Sequence, residues 1–468
     1  MSTEPWRLDA TSLAASIRAG RLSAREATLS VLGRIDALNP RLRALAAVNA
    51  DEALATAEAC DRAQAAGRPP GPLHGVPVTV KINVDVAGQP TTDGVAALAN
   101  AVAQADSPLV ASLREAGAVI VGRSNAPACS LRWFTDNALH GRTLNPFDPK
   151  VTPGGSSGGA AVAVATGMGP IAHGNDYGGS IRYPAWACGV VGLRTTVGRV
   201  PSYKASAPNR IVTNQLMSVQ GPLTRSVADA RLALRVMAQG SPLDPQWVPA
   251  PLHHRDSEQP CRVALYTGWR ASRVDAGVVQ ACHQAARWLE AAGYVVEEVE
   301  PPHFAEVAAL QFPLVMNDLR RAGVGFMQTE GDAALRTALG HYLAVTPDWD
   351  RDTVLEALAR RFTIARDWAV FLARHPLLLM PNSWERPFPI DDDQRSPQRT
   401  AEILLAQSPM LGPAVLGLPG LAVPTGLADG LPAGVQLVAG RFREDLLLRA
   451  GEVIERAAGF SVLDRLPP

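Results

Sequence analysis

Residues 151–184 read VTPGGSSGGAAVAVATGMGPIAHGNDYGGSIRYP. Two serine-bearing glycine loops lie in this stretch, GGSSGG at 154–159 and DYGGSIR at 176–182, joined by an apolar segment of small residues. Glycine lacks a Cβ, so such loops admit positive φ and let other groups come close to the backbone amides. Two loops of this kind, each carrying a hydroxyl, point to a reacting centre wrapped in N–H donors. The chain holds Gly 40 among 468 residues, near the ordinary share, so composition does not account for two dense clusters. Between the loops, residues 159–166 (GAAVAVAT) read as a helix of tiny side chains able to lie close against a sheet.

Upstream, residues 73–86 read LHGVPVTVKINVDV. Val78, Val80, Ile82, Val84 and Val86 alternate with Thr79, Lys81, Asn83 and Asp85, the period of a strand. Lys81 therefore points away from the aliphatic face, beside Thr79 and Asn83. Residues 5–66 read as helices. Ser23 and Glu26 form a capping-box pattern, Pro40 is expected to stop that helix, and a second runs from Asp51 to Ala66. Residues 118–121 (AVIV) read as a buried strand ended by Gly122, and residues 125–149 as an irregular loop holding Trp133 and Phe134.

Downstream, Ser226 caps a helix through Met237, and the Pro-rich stretch 239–260 is a candidate linker. A strand from Cys261, a helix capped by Ser272 and a strand from Tyr294 form a βαβ unit, which implies a parallel pair. Residues 304–375 are mostly helical, residues 377–380 a short buried strand, and two apolar runs near 414–424 and 434–439 return to the sheet before a closing helix at 444–457. The pattern is that of one large α/β domain with a helical insertion.

Lys+Arg 44 balances Asp+Glu 44, which argues against a nucleic acid or an anionic membrane as partner. No apolar run approaches a membrane span and the N-terminus shows no secretory pattern. Cys60, Cys129, Cys188, Cys261 and Cys282 are scattered and odd in number, as expected of free thiols in the cytoplasm.

Four chemistries compete for the glycine loops. GGSSG matches a G-x-S-x-G nucleophile elbow by letters, but the elbow needs a strand before it. The preceding NPFDPKVTP (145–153) carries three prolines and cannot be a central strand. A phosphate loop fails because no Gly-Lys-Ser/Thr follows. A metal site fails because the nine histidines show no ligand spacing. The fourth option joins Lys81 to both serine loops.

On these residues the chain resembles the amidase-signature family of serine hydrolases. The matches are LHGVPVTVK (73–81), PGGSSGG (153–159), DYGGSIR (176–182), GLRTTVGR (192–199) and GLPGLAVP (417–424), within residues 10–237 and 410–458. Departures are Ile82 for a common acidic residue, Ala160 for Ser or Glu, and Asn175 and Tyr177 for Thr and Ile/Thr. The resemblance implies a single domain over 1–468 built on a large twisted mixed β-sheet covered by helices on both faces. Residues 5–66 would be N-terminal helices, 70–237 the catalytic core, 304–400 a helical insertion shaping the entrance, and 410–458 the return to the core.

It also implies roles by position. Ser180 would be the nucleophile that forms an acyl-enzyme. Ser156, preceded in the family by a cis peptide bond, would relay a proton between Ser180 and Lys81. Lys81 must be neutral, and a shift from about 10.4 to near 7–8 needs roughly 4 kcal/mol of bias, supplied by burial with no carboxylate in contact. The amides of Tyr177, Gly178, Gly179 and Ser180 would hold the oxyanion. Asp176 and Arg182 would pair to fix the loop, and Ser130, Trp133 and Phe134, with a wall from residues 202–217, would line the acyl pocket. The implied activity is hydrolysis of small, hydrophobic amides without metal or cofactor, by a monomer or homodimer. Carbamates (urethanes), aryl-acylamides and esters suit the same triad. In another class, the chain would be the amidase component of a glutamine-dependent amidotransferase complex.

Overall fold

The computed structural model describes residues 4–255, 259–268 and 273–467. Its strands are β1 (Leu45–Val48), β2 (Pro77–Lys81), β3 (Val119–Ser124), β4 (Ile171–Asp176), β5 (Val191–Arg194) and β6 (Val219–Thr224). After these come β7 (Arg262–Leu265), β8 (Val295–Glu298), β9 (Leu377–Met380), β10 (Gly420–Ala428) and β11 (Leu431–Ala439). They form one mixed sheet in the order β1-β3-β2-β4-β6-β5-β10-β11-β9-β7-β8. The fold is α/β. β7 and β8, which follow the Pro-rich stretch 239–260, extend this same sheet through β9, and the pair is parallel as the βαβ pattern requires.

β2 lies between β3 and β4, parallel to both, so the C-terminal ends of β2 and β4 sit side by side. All five residues of β2 are buried, including Thr79 and Lys81 on its polar face. Both faces of this part of the sheet are therefore covered. The small-residue helix Gly158–Ala165 is wholly buried. A Cβ at Gly159 would meet Ala44 O and Asn125 N at 2.4 Å, so glycine is needed for that close approach.

Five local expectations change. Residues 5–66 are not all helix, because Leu45–Val48 forms β1 beside β3. The alternation through Val86 does not continue as strand: β2 ends at Lys81, and Val84 N donates back to Lys81 O across a turn at 3.3 Å. Arg123 Nη2, buried beneath, donates to Lys81 O at 3.3 Å, satisfying a carbonyl that a longer ladder would have used. β3 runs through Gly122 to Ser124 because β1 pairs alongside it. The capping-box helix carries on past Pro40 to Leu42, giving up one main-chain bond, and closes with Arg43 in the left-handed region. Ser272 lies outside the described residues. Asp275 caps the helix Ala276–Ala291, its carboxylate accepting from Gly277 N and Val278 N.

Candidate active site

The site stands where the C-terminal ends of β2 and β4 meet the two glycine loops. β2 delivers Lys81 into the interior, fully buried. Its Nζ lies 2.7 Å from Ser156 Oγ, 3.2 Å from Ser157 Oγ and 2.7 Å from Asn175 Oδ1. Among the described residues no carboxylate comes within ion-pair distance. Burial pushes the amine down to about 7, against opposing pulls from Asp93 and Asp176 farther off.

The first loop turns sharply. Gly154 has φ +83°, and a Cβ there would meet Pro184 Cα at 2.4 Å, so the turn and the close approach both require glycine. The peptide bond Gly155–Ser156 is cis. Ser157 N donates to Ser180 O at 3.1 Å, which ties the first loop to the second.

The second loop is fixed from beneath by Asp176. Its carboxylate accepts from Gly179 N at 2.8 Å, from Ile181 N at 3.2 Å and from Arg182 Nε at 2.9 Å. Arg194, on β5, adds Nη1 at 3.0 Å. All three side chains are fully buried. Burial by itself would raise the Asp176 carboxyl, but the two guanidinium groups and the Gly179 amide hold it well below the usual carboxylate range. Two further contacts hold the loop's carbonyls: Trp133 Nε1 donates to Gly178 O at 3.2 Å and Gln311 Nε2 to Tyr177 O at 3.0 Å. The Tyr177 hydroxyl meets Thr213 Oγ1, whose hydroxyl donates to Asp318 at 2.9 Å.

A cavity of about 410 Å³ opens over Ser156 and Ser180. Ser130 and Tyr177 are in its wall, as are Lys204 and Arg210 from the 202–217 segment and Phe326 and Met327 from the helical region. Neither Trp133 nor Phe134 reaches it. Trp133 backs the second glycine loop and Phe134 stacks on Phe388 at 6.1 Å, so these rings are packing behind the site rather than wall. The Gly179 amide is likewise engaged by Asp176. That leaves Tyr177, Gly178 and Ser180, whose amides have no protein acceptor among the described residues. The hydroxyls of Ser156 and Ser180 share the cavity wall without a direct hydrogen bond between them, a contact of the kind that tightens when substrate binds.

Reasoning from the residues does not foresee Asn175 at Lys81, Arg194 on Asp176, or Gln311 on the loop that carries Ser180. Asn83 is within its reach, since it shares the polar face of Lys81 in the alternation. Arg194 lies in the matched stretch 192–199, where nothing names Asp176 as its partner, and Gln311 comes from a distant stretch with no local signal. Among the described residues no group of three or more His, Cys, Asp or Glu is placed to hold a metal, and no helix is long and apolar enough to cross a membrane. The arrangement offers an amine poised to lose its proton, beside the hydroxyls of Ser156 and Ser157, with that of Ser180 on a loop whose amides of Tyr177, Gly178 and Ser180 are free among the described residues. Such a set suits nucleophilic acyl transfer.

The comparisons agree with this chemistry. The chain is 43% identical over 456 residues to the indoleacetamide hydrolase of Bradyrhizobium diazoefficiens, covering 97% of this chain and 87% of that one. It is 33% identical to a glutamyl-tRNA(Gln) amidotransferase component of Chloroflexus aurantiacus, covering 97% of each. A bacterial aryl acylamidase of the amidase-signature enzymes superposes with a TM-score of 0.85 at 27% identity, covering 99% of each chain. The amidase family model matches residues 26–448. The chain therefore belongs to the amidase (amidase-signature) family and is a hydrolase of carbon–nitrogen bonds other than peptide bonds.

Proposed function

We propose that the chain cleaves small aryl- or indolyl-acetamides, releasing ammonia and the carboxylic acid through an acyl-enzyme on Ser180. Neutral Lys81 takes the proton of Ser156 as Ser156 takes that of Ser180, and Ser180 Oγ attacks the amide carbon. The oxyanion faces the free amides of Tyr177, Gly178 and Ser180. The proton returns through Ser156 to the departing nitrogen, and water then hydrolyses the ester by the same relay. One observation carries this reading: a buried lysine with no carboxylate partner stands 2.7 Å from Ser156 Oγ. The substrate class follows from the relative at 43% identity and from a cavity whose Leu319, Phe326 and Met327 suit an aromatic ring. The enzyme is taken as cytoplasmic, monomeric or homodimeric, and free of cofactor.

The aryl acylamidase neighbour favours an anilide as the second reading, ahead of a carbamate. The purified chain, alone, is offered indole-3-acetamide and a p-nitroanilide, and a fluorophosphonate probe is read by intact mass. Ammonia release with single labelling at Ser180, both absent in Ser180→Ala, is expected. Labelling elsewhere overturns the mechanism. Hydrolysis by the chain without partner proteins separates this reading from an amidotransferase component.

A further inference from the structure

A line of side-chain hydrogen bonds leads away from Lys81 through Asn175. Lys81 Nζ lies 2.7 Å from Asn175 Oδ1, and Asn175 Nδ2 donates to Asn83 Oδ1 at 2.8 Å. Asn83 Nδ2 donates to Ser130 Oγ at 2.9 Å, and the Ser130 hydroxyl donates to Asp93 Oδ1 at 2.7 Å. The direction of every bond is set from the far end. Burial raises the Asp93 carboxyl while Lys204, Ser130 and Lys81 favour its charged form; in that form it only accepts, so the single hydroxyl hydrogen of Ser130 goes to Asp93. Ser130 Oγ must then accept, which makes Nδ2 the atom of Asn83 that faces it. Asn83 thereby turns Oδ1 toward Asn175, and Asn175 turns Oδ1 toward Lys81.

The consequence falls on Lys81. A neutral amine has two hydrogens and one lone pair, and Nζ has three partners. Asn175 Oδ1 cannot donate, so it takes one hydrogen. Ser157 gives its own hydroxyl hydrogen to Asn175 O at 3.3 Å, so it accepts the second. Only the lone pair remains, and only Ser156 remains to receive it.

We infer that Asn175, oriented through Asn83, Ser130 and Asp93, is a positioning residue that aims the lone pair of Lys81 at the Ser156 hydroxyl. The inference deepens the proposed mechanism and rests on it. An acceptor at position 175 removes the unproductive rotamers of the amine, so the base is oriented before substrate arrives. The charged groups acting on Lys81 are Asp93, Asp176 and Lys204, none of them in contact with Nζ.

The test uses the fluorophosphonate labelling rate of Ser180 across pH, which needs no natural substrate. Thr and Val have one shape and differ by a hydroxyl. Asn175→Val is expected to label at least tenfold more slowly than the native chain, and Asn175→Thr at least tenfold faster than Asn175→Val. Asn175→Asp places a carboxylate on the amine, favours its charged form, and is expected to move the midpoint of the pH–rate curve upward by more than one unit. Asn175→Val within twofold of native, Asn175→Thr no better than Asn175→Val, or Asn175→Asp with an unmoved midpoint each overturns the inference. If Asn175→Val does not fold, the midpoint of Asn175→Asp decides. A native chain that does not label at Ser180 instead removes the proposed mechanism, a distinguishable failure.

Discussion

Gln311 Nε2 donates to the main-chain carbonyl of Tyr177 at 3.0 Å, so the helix Phe304–Ala322 holds the loop that carries Ser180. Gln311 is buried, and its Nε2 would sit 3.1 Å from a Cβ on Gly178. The region 304–322 therefore supports the loop as well as standing near the cavity. Gln311→Leu keeps the volume and removes the donor. We expect kcat to fall about tenfold, with KM little changed, in line with one lost hydrogen bond of roughly 1–1.5 kcal/mol. A changed KM at constant kcat would assign this helix to substrate contact alone.

Asp176 is the buried anchor of the same loop. Asp176→Asn leaves Arg182 and Arg194 without a counter-charge, and breaking a buried pair costs about 3–5 kcal/mol. For a chain of this size, Tm should drop on the order of 4 °C, and activity should fall with it, because one of the two oxygens that hold the loop's N–H groups becomes a donor facing them. The native carboxyl is held below its unfolded value, so its stabilisation is full above about pH 4 and lost as pH falls further. The gap between native and variant Tm should therefore close on acidification, which thermal scans at several pH values would check.

How much of this is legible in the sequence follows from range. Lys81 on the polar face of a strand, and Ser156 and Ser180 on glycine loops, are local patterns, and the structure brings Lys81 and Ser156 to 2.7 Å. The end of β2 is not legible, because alternation continues to Val86 while Arg123, from another strand, takes the carbonyl of Lys81. Trp133 and Phe134 sit in a loop whose letters fit a pocket wall or a packing plug equally. Phe388, more than 250 residues away, decides for packing. Asn175, Arg194 and Gln311 make contacts that no spacing encodes.

Gly154 gives a stringent test of the first loop. Its φ of +83° disfavours any side chain, and a Cβ would overlap the Pro184 backbone at 2.4 Å. Gly154→Ala must shift that backbone, two residues from Arg182. We expect loss of fluorophosphonate labelling by about two orders of magnitude or failure to fold, read by labelling rate and circular dichroism. A folded variant labelling at the native rate would show that the loop tolerates displacement and that its geometry does not set the rate.

Lys81 separates stability from activity. Its amine is brought from 10.5 to about 7 by burial, so the charged form is disfavoured in the folded chain. Below about pH 7 both folded and unfolded chains carry the proton, and the folded state bears the whole cost, about 5 kcal/mol for a shift of this size. Between 7 and 10.5 the unfolded chain binds the extra proton, so stability rises with pH and the cost vanishes near 10.5. Lys81→Met removes the cost but leaves Asn175 Oδ1 without its donor, a penalty of roughly 1–3 kcal/mol. The variant should therefore melt higher than the native chain at pH 7, and the difference should shrink and reverse toward pH 10. Its hydrolysis should drop by at least about two to four orders of magnitude, while native acylation climbs through pH 7 as the amine loses its proton. A Lys81→Met chain that melts lower than native at pH 7 would mean that the lysine is held charged, and no neutral base would then be available to Ser156.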